Sequence, residues 1–227
     1  MSVSTLGARP ATAPLERRRV HWRLALAIAA PLPWLLLAVS NAVTPDDLGG
    51  SHGRQYDAFA AHPTAAGIAV AFSIVCAVTL VPSAVAMLVA LRDGAPRAST
   101  YIGGLWVVGA CCGAAAVSMQ VITYVATRND LDRATVVALN EALEASPVYL
   151  VILPFAVAIT LGRVLLGVLL WRTRIGPRWM AAALVVAVPV EWALGAAIGN
   201  AGPAIAYLLT AVGFASASVA LHATEES

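Results

Sequence analysis

Six apolar runs of about twenty residues, separated by short polar stretches, constrain this chain more than any motif in it, because a helix rising 1.5 Å per residue needs about that many residues to cross ~30 Å of hydrocarbon. The runs cover 24–43, 64–91, 101–126, 147–171, 179–200 and 203–221. Inside a bilayer the backbone must satisfy its own hydrogen bonds, and helices do this within each segment. Only 11% of the residues are charged and 60% are hydrophobic, against about 25% charged in soluble domains. The expected fold is therefore an all-α integral membrane protein, a six-transmembrane-helix bundle.

Between the runs, residues 130–145 read as a short helix in the second outer loop. Asp130 and Asp132 stand at its start, where a helix dipole favours acids. Leu131, Ala134, Ala138, Leu139 and Leu143 offer it a face to rest on the membrane or the bundle. Residues 1–22 are polar and without periodicity, which predicts a disordered cytoplasmic arm; 23–222 form the membrane domain and 223–227 a cytoplasmic tail. Arginines, an apolar run and Ser40-Asn41-Ala42 also fit a cleavable secretory signal, but five further runs follow and favour an uncleaved first helix.

The arginines set the orientation. All fourteen basic residues are arginine. With the amino terminus inside, Arg9, Arg17, Arg18, Arg19, Arg23, Arg92, Arg97, Arg172, Arg174 and Arg178 fall in inner segments, and only Arg54, Arg128 and Arg133 in outer ones. That asymmetry follows the positive-inside rule, and Trp171 and Trp179 flank the fourth–fifth loop where indoles favour the interface. The expectation is a multi-pass plasma-membrane protein with both termini cytoplasmic. Its partner is the lipid bilayer, and a net charge of +2 is too small to suggest nucleic acid.

Two charges are out of place. Glu191 lies in the fifth run, two residues after Pro189, and Arg163 in the fourth. Arg163 is eight residues from Trp171 and Glu191 twelve from Trp179, so they sit ~12 Å and ~18 Å from the inner interface. A short loop makes the two runs antiparallel neighbours, and the ~6 Å offset is within reach of an arginine side chain. A lone charge at that depth costs about 2.5–3.5 kcal/mol even on the lenient insertion scale, so such charges pair or face a cavity. An ion pair fixes the packing of two helices, or Glu191 handles a proton or a substrate, or Arg163 snorkels to the inner interface and leaves a protonated Glu191 behind. Pro189 has no N–H for the carbonyl of Val185, which loosens the helix beside Glu191.

Asn41, Gln120, Tyr124 and Asn200 all fall near outer helix ends, with Glu191 about two turns deeper. Together they form a candidate ligand site opening outward, although polar residues also simply mark helix ends. Asp46, Asp47, His52 and His62 lie in the loop above; they include metal-ligand types, but their spacing matches no defined site. No metal and no cofactor is expected. No histidine stands in mid-run for haem, and the catalytic signatures GxSxG and HExxH and a P-loop are missing. Cys76, Cys111 and Cys112 are an odd set inside apolar runs, which suits packing rather than a disulfide framework. Gly109/Gly113 and Gly195/Gly199 are GxxxG pairs that let helices approach, and Ser216, Ala217 and Ser218 add small residues to the sixth run.

The segments LDRATVVALNEALEASPVYLVIL and GVLLWRTRIGPRW resemble an uncharacterised family of small six-span membrane proteins from high-GC bacteria. In that family a short outer helix with an EASP-like end precedes a span closing in WR, followed by a PRW-like return into the membrane. The resemblance spans 131–179 and implies topology, with no activity.

Three functions stay open at this level. The first is a non-enzymatic protein that binds or moves a small apolar or lipid-like molecule, anchored by Glu191 and Arg163 with Gln120, Tyr124, Asn200 and Asn41 around them. The second is a membrane-embedded enzyme of cyclase or isomerase type, with Glu191 as proton donor to a prenyl or lipid substrate; it wants a second carboxylate facing Glu191. The third is an interaction subunit of a larger membrane complex, docking through its GxxxG faces.

Overall fold

The structure, a computed structural model, describes residues 13–45, 50–92 and 94–223. Residues 1–12 of the expected arm, Asp46 and Asp47, and residues 224–227 of the tail lie outside the described residues. Helices α1 (Ala13–Ala29) and α2 (Leu32–Val43) form the first span, with α1 beginning inside the stretch expected as an arm. Then come α3 (His52–Ala61), α4 (Pro63–Leu91), α5 (Pro96–Arg128) and α6 (Arg133–Ala145). The fourth span is a 3₁₀ turn (Pro147–Ile152), α7 (Leu153–Val157), a π turn (Ala158–Gly162) and α8 (Arg163–Thr173). Helices α9 (Arg178–Ile198) and α10 (Ala201–Ala223) complete the chain. Among the described residues there is no strand, and six helical segments are long and apolar enough to cross a membrane.

The six spans close a ring in chain order: the first packs on α4, α4 on α5, α5 on the fourth span, α8 on α9, α9 on α10, and α10 back on α1 and α2. Tight reversals enforce this. Arg174 (φ 56°) and Gly176 (φ 71°) are left-handed between the fourth and fifth spans, and Gly199 (φ 59°) ends α9 before α10. Just past that turn a Cβ on Gly202 would stand 2.2 Å from the backbone nitrogen of Gly195, so only glycine fits where the hairpin closes.

Proline accounts for the break in the first span. Pro31 has no N–H for the carbonyl of Ala27, four residues back, and in hydrocarbon that oxygen must find another donor. Ser218 of α10 supplies it through Oγ, and Ser83 of α4 donates to the neighbouring carbonyl of Ala30 at 2.5 Å. One small hydroxyl residue of the sixth span and one of α4 thus mend the first span. The Gly109/Gly113 pair is also used inside the ring: a Cβ on Gly109 would meet Ala158 at 2.4 Å, and one on Gly113 would meet Phe155 at 2.9 Å.

At the centre, Trp34, Trp106 and Phe214 bring the first, third and sixth spans together. Trp34 meets Trp106 edge-on at 5.3 Å between centroids and Phe214 at 5.0 Å, and Tyr207 stacks on Trp34 at 6.4 Å. Such ring pairs add to dispersion, which drives packing where lipid tails are as apolar as the core.

One end of the ring is covered by α3 and α6. The loop expected over 44–63 contains α3, capped by Ser51, whose side chain accepts from the Arg54 N–H. The short helix expected between the third and fourth runs is present but begins at Arg133, with Asp132 as its cap accepting from Thr135 N at 2.9 Å; Asp130 stands outside it in the left-handed region. Its bundle side is set by two other residues. Val136 and Asn140 face inward, while Leu131 and Leu139 are about half exposed, because Asn140 Nδ2 donates to Thr123 of α5 at 3.1 Å and sets the roll of the helix.

Arg133 clamps α3 to α6 through a two-pronged pair with Asp57, 2.7 Å and 2.8 Å, and Tyr56 donates to the Leu131 carbonyl at 2.6 Å. The Arg133 hydrogen bond holds the Asp57 carboxyl below the usual carboxylate range, and the Thr135 backbone N–H does the same for Asp132. Depressed carboxylates contribute stability above their unfolded value near 3.9, lost as pH falls through the folded value. The protection factors of the α3 and α6 amides, with the intrinsic exchange rate divided out at each pH, are therefore expected to be higher at pH 6 and to fall below about pH 4. Asp57→Asn should bring low α3 protection already at pH 6. Protection that ignores both pH and the substitution would show that the clamp does not hold the cap.

Candidate functional site

Arg163 is fully buried at the first residue of α8, directly after the π turn. A π turn widens the helix and re-aims the side chain that follows it, and such turns recur at functional sites. Here Gly162 backs onto the Trp106 indole, where a Cβ would come within 3.2 Å. Arg163 turns inward and donates from Nε to the Ile159 carbonyl, from Nη2 to Glu191 Oε2, and from Nη1 to Thr210 Oγ1 at 3.3 Å. Glu191 accepts at its other oxygen from the Tyr207 hydroxyl, 3.1 Å away. The Arg163 guanidinium also lies 5.8 Å from the centroid of the Tyr207 ring, close enough for a cation–π contribution. Burying this pair demands further hydrogen bonds to the remaining donors and lone pairs, and the fourth and sixth spans supply them through Ile159, Thr210 and Tyr207. The Glu191 side chain keeps 21% of its surface accessible, against 1% for Arg163.

Tyr207 has a second neighbour. Its wall faces a cavity of about 140 Å³ between the first, second, third, fourth and sixth spans. The apolar part of the wall includes Leu37, Ala77, Leu80, Val117 and Phe155; the polar part is Asn41, Ser73 and Gln120, with the Cys76 thiol beside them. Hydroxyls organise the polar part: Ser40 Oγ lies 2.9 Å from the Ala69 carbonyl and 2.8 Å from Ser73 Oγ, which lies 3.2 Å from Gln120 Oε1, and the two hydroxyl protons serve two of these three contacts at a time. Asn41 Nδ2 donates to the Leu37 carbonyl at 2.7 Å, while its buried Oδ1 has no hydrogen-bond partner.

Of the residues proposed from the sequence, Arg163 and Glu191 thus meet each other, and Asn41 and Gln120 meet at the cavity. Tyr124 and Asn200 do not join them. Tyr124 packs beneath the cap against Phe59, Ala66 and Val70 and leaves no room for a side chain on Gly67, whose Cβ would lie 2.7 Å from the Tyr124 hydroxyl. Asn200 donates to the Thr44 carbonyl at 3.1 Å and ties the α9–α10 turn to the end of the first span. His52 Nε2 sits 3.2 Å from Glu144 Oε2, His62 is exposed at the start of α4, and no group of three metal-ligating residues occurs among the described residues. Of the thiols, Cys76 is buried, Cys112 half-buried and Cys111 exposed.

Tyr207, Thr210 and Ser73 were missed from the sequence. Tyr207 and Thr210 stand three apart, hence on one helix face. Two hydroxyls at that spacing in an otherwise apolar run were the available signal.

A family model described as a domain of unknown function, DUF4386, matches residues 24–223, which takes in all six spans. No curated protein and no solved structure matches the chain.

Proposed function

We infer that this chain, which belongs to the DUF4386 family, is a non-enzymatic plasma-membrane protein that binds or moves a small apolar or lipid-like molecule. The arginine asymmetry favours cytoplasmic termini; with that orientation the end covered by α3 and α6 faces outward and the cavity lies in that half of the membrane. The observation that carries this reading is the cavity itself. It is apolar over most of its wall, is furnished with two amides from different spans, and ends on Tyr207, which joins it to the Glu191–Arg163 pair. Pockets for small molecules combine these features: apolar walls with a few placed polar groups. In this reading Asn41 and Gln120 contact the molecule, Tyr207 closes the wall, and Glu191 with Arg163 holds Tyr207 in place. Tyr124 and Asn200 support the cap and the turn.

The other two readings gain less. A proton-donating Glu191 wants a second carboxylate opposite it, and among the described residues no hydrogen bond or ion pair joins Glu191 to one. Docking through Gly109 and Gly113 conflicts with their use against the fourth span.

Mass spectrometry of protein released from gently prepared nanodiscs is expected to find a small organic molecule at near-equimolar ratio, retained by the wild type. Filling the cavity with Ala77→Leu should displace it. Bulk lipid alone, in the same amount with both proteins, would count against the proposal.

A further inference from the structure

We propose that the groove between α8 and α9, on the outside of the bundle, is a site for an anionic glycerophospholipid. An acyl chain lies in the groove, and Arg172 and Arg178 hold the headgroup. The site is separate from the cavity around Asn41 and Gln120 and does not depend on the function proposed for it.

The groove has a cause in the sequence. Gly167 lets α8 and α9 cross closely: a Cβ there would stand 2.8 Å from the Ala181 carbonyl oxygen and 2.7 Å from the Val185 side chain. Small residues at a crossing bring two backbones together, and beside this crossing a furrow is left. Its walls include Val168 and Trp171 of α8 and Ala182 and Val185 of α9. Leu166 and Leu170 of the same helix are buried in the core, whereas Val168 and Trp171 are nearly half exposed, so the furrow opens away from the bundle. Gly167 precedes Arg172 by five residues and Val185 follows Arg178 by seven, so the furrow runs ~8–10 Å from the arginines into the apolar layer. What surrounds an open apolar furrow at that depth is acyl chain.

Charge selects the headgroup. Arg172 is itself part of the wall, and the Arg178 guanidinium lies 5.5 Å from the centroid of the Trp171 ring, which holds it beside the same wall. Neither arginine has an acidic partner among the described residues. No Asp or Glu stands anywhere between Glu144 and Glu191. A guanidinium matches phosphate oxygens with two parallel hydrogen bonds, and basic pockets between membrane helices take acidic headgroups in this way. The ammonium of a zwitterionic lipid would meet two like charges and no carboxylate, so the headgroup carries net negative charge. A soluble anion would satisfy the arginines and leave the furrow to other molecules. Only an anionic lipid brings both parts.

The test is native mass spectrometry of the full chain from micelles holding equal amounts of dioleoyl phosphatidylglycerol and dioleoyl phosphatidylcholine. The wild type is expected to retain one phosphatidylglycerol with about 25-fold preference, each arginine supplying about fivefold. Arg172→Gln or Arg178→Gln should lower that preference about fivefold, and the double variant should bring it close to one. Arg97 is exposed in the loop that meets Ile175 through Gly94, hence at the same end of the bundle; Arg97→Gln should change nothing. Ala182→Phe should fill the groove and release the lipid with both arginines in place, and Val168→Phe is the filling variant from α8 if the first does not fold. Equal retention of the two lipids by the wild type overturns the proposal. So does a preference that Arg97→Gln lowers as much as Arg172→Gln, which would mean attraction to a basic surface at large. Retention that ignores the filling variants overturns the groove as the seat of the chain. A dimer that retains no lipid and that Ala182→Phe breaks would show that a second copy covers the groove, and the proposal falls.

Discussion

Glu191→Gln is expected to lower the unfolding free energy of the full chain in nanodiscs by about 3–5 kcal/mol, because it strands a charge that has nowhere to go. Arg163 is fully buried. With glutamine opposite, its guanidinium keeps the Ile159 carbonyl and the Thr210 hydroxyl but loses the anion. Arginine cannot shed its proton. Arg163→Leu is expected to cost less, about 1–3 kcal/mol, because the carboxyl left behind retains the Tyr207 hydroxyl and keeps part of its surface accessible. The two costs should therefore be unequal, and the double variant should recover at least about 2 kcal/mol relative to their sum. Additive costs would mean that the two residues act independently, against the contact seen between them. A neutral or stabilising Glu191→Gln would mean that the carboxylate is held for something other than stability, and ligand or proton-linked activity should then be sought at Glu191 itself.

What the sequence made legible follows from what each signal encodes. Apolar length encodes spans, and the six runs became six spans because nothing soluble needs such runs. Distance from an interfacial tryptophan encodes depth, and depth with a short loop was enough to bring Arg163 within reach of Glu191. Depth says nothing about which way a side chain faces around the ring. Asn41, Gln120, Tyr124 and Asn200 stand at similar heights, yet only the first two share the cavity; Tyr124 looks up under α3 and Asn200 across to Thr44. That azimuth depends on which span closes against which, a property of the whole ring.

Local irregularity was just as hidden. The π turn at Ala158–Gly162 sits in continuous apolar sequence, and its cause is tertiary: the Trp106 indole against Gly162 and an inward arginine that must reach both Ile159 and Glu191. Helix α3 escaped because its buried face is little more than Phe59, too few apolar positions to show a period. The roll of α6 was open in the sequence, where its leucines could face the membrane or the bundle; the buried hydrogen bond from Asn140 to Thr123 fixes which side meets α5.

Trp34→Ala is expected to be about as damaging as the loss of Glu191, at about 3–5 kcal/mol, for a reason that has no charge in it. The indole is fully buried and touches Trp106, Phe214 and Tyr207. Removing it opens a void among aromatic rings held from the third and sixth spans, and the ring closure leaves those spans little freedom to collapse into it. Trp34→Phe should cost no more than about 1.5 kcal/mol, since it keeps most of the volume and loses no hydrogen bond, the indole Nε1 having no partner. The contrast separates packing from polarity. Denaturation of both variants in nanodiscs measures it, and a Trp34→Phe as costly as Trp34→Ala would show that the indole N–H is hydrogen-bonded after all. The same void should reach the site, because Tyr207 stacks on Trp34 while its hydroxyl holds Glu191 and its ring closes the cavity. Trp34→Ala is therefore expected to weaken retention of the small molecule at temperatures where the variant is still folded, with Trp34→Phe retaining it.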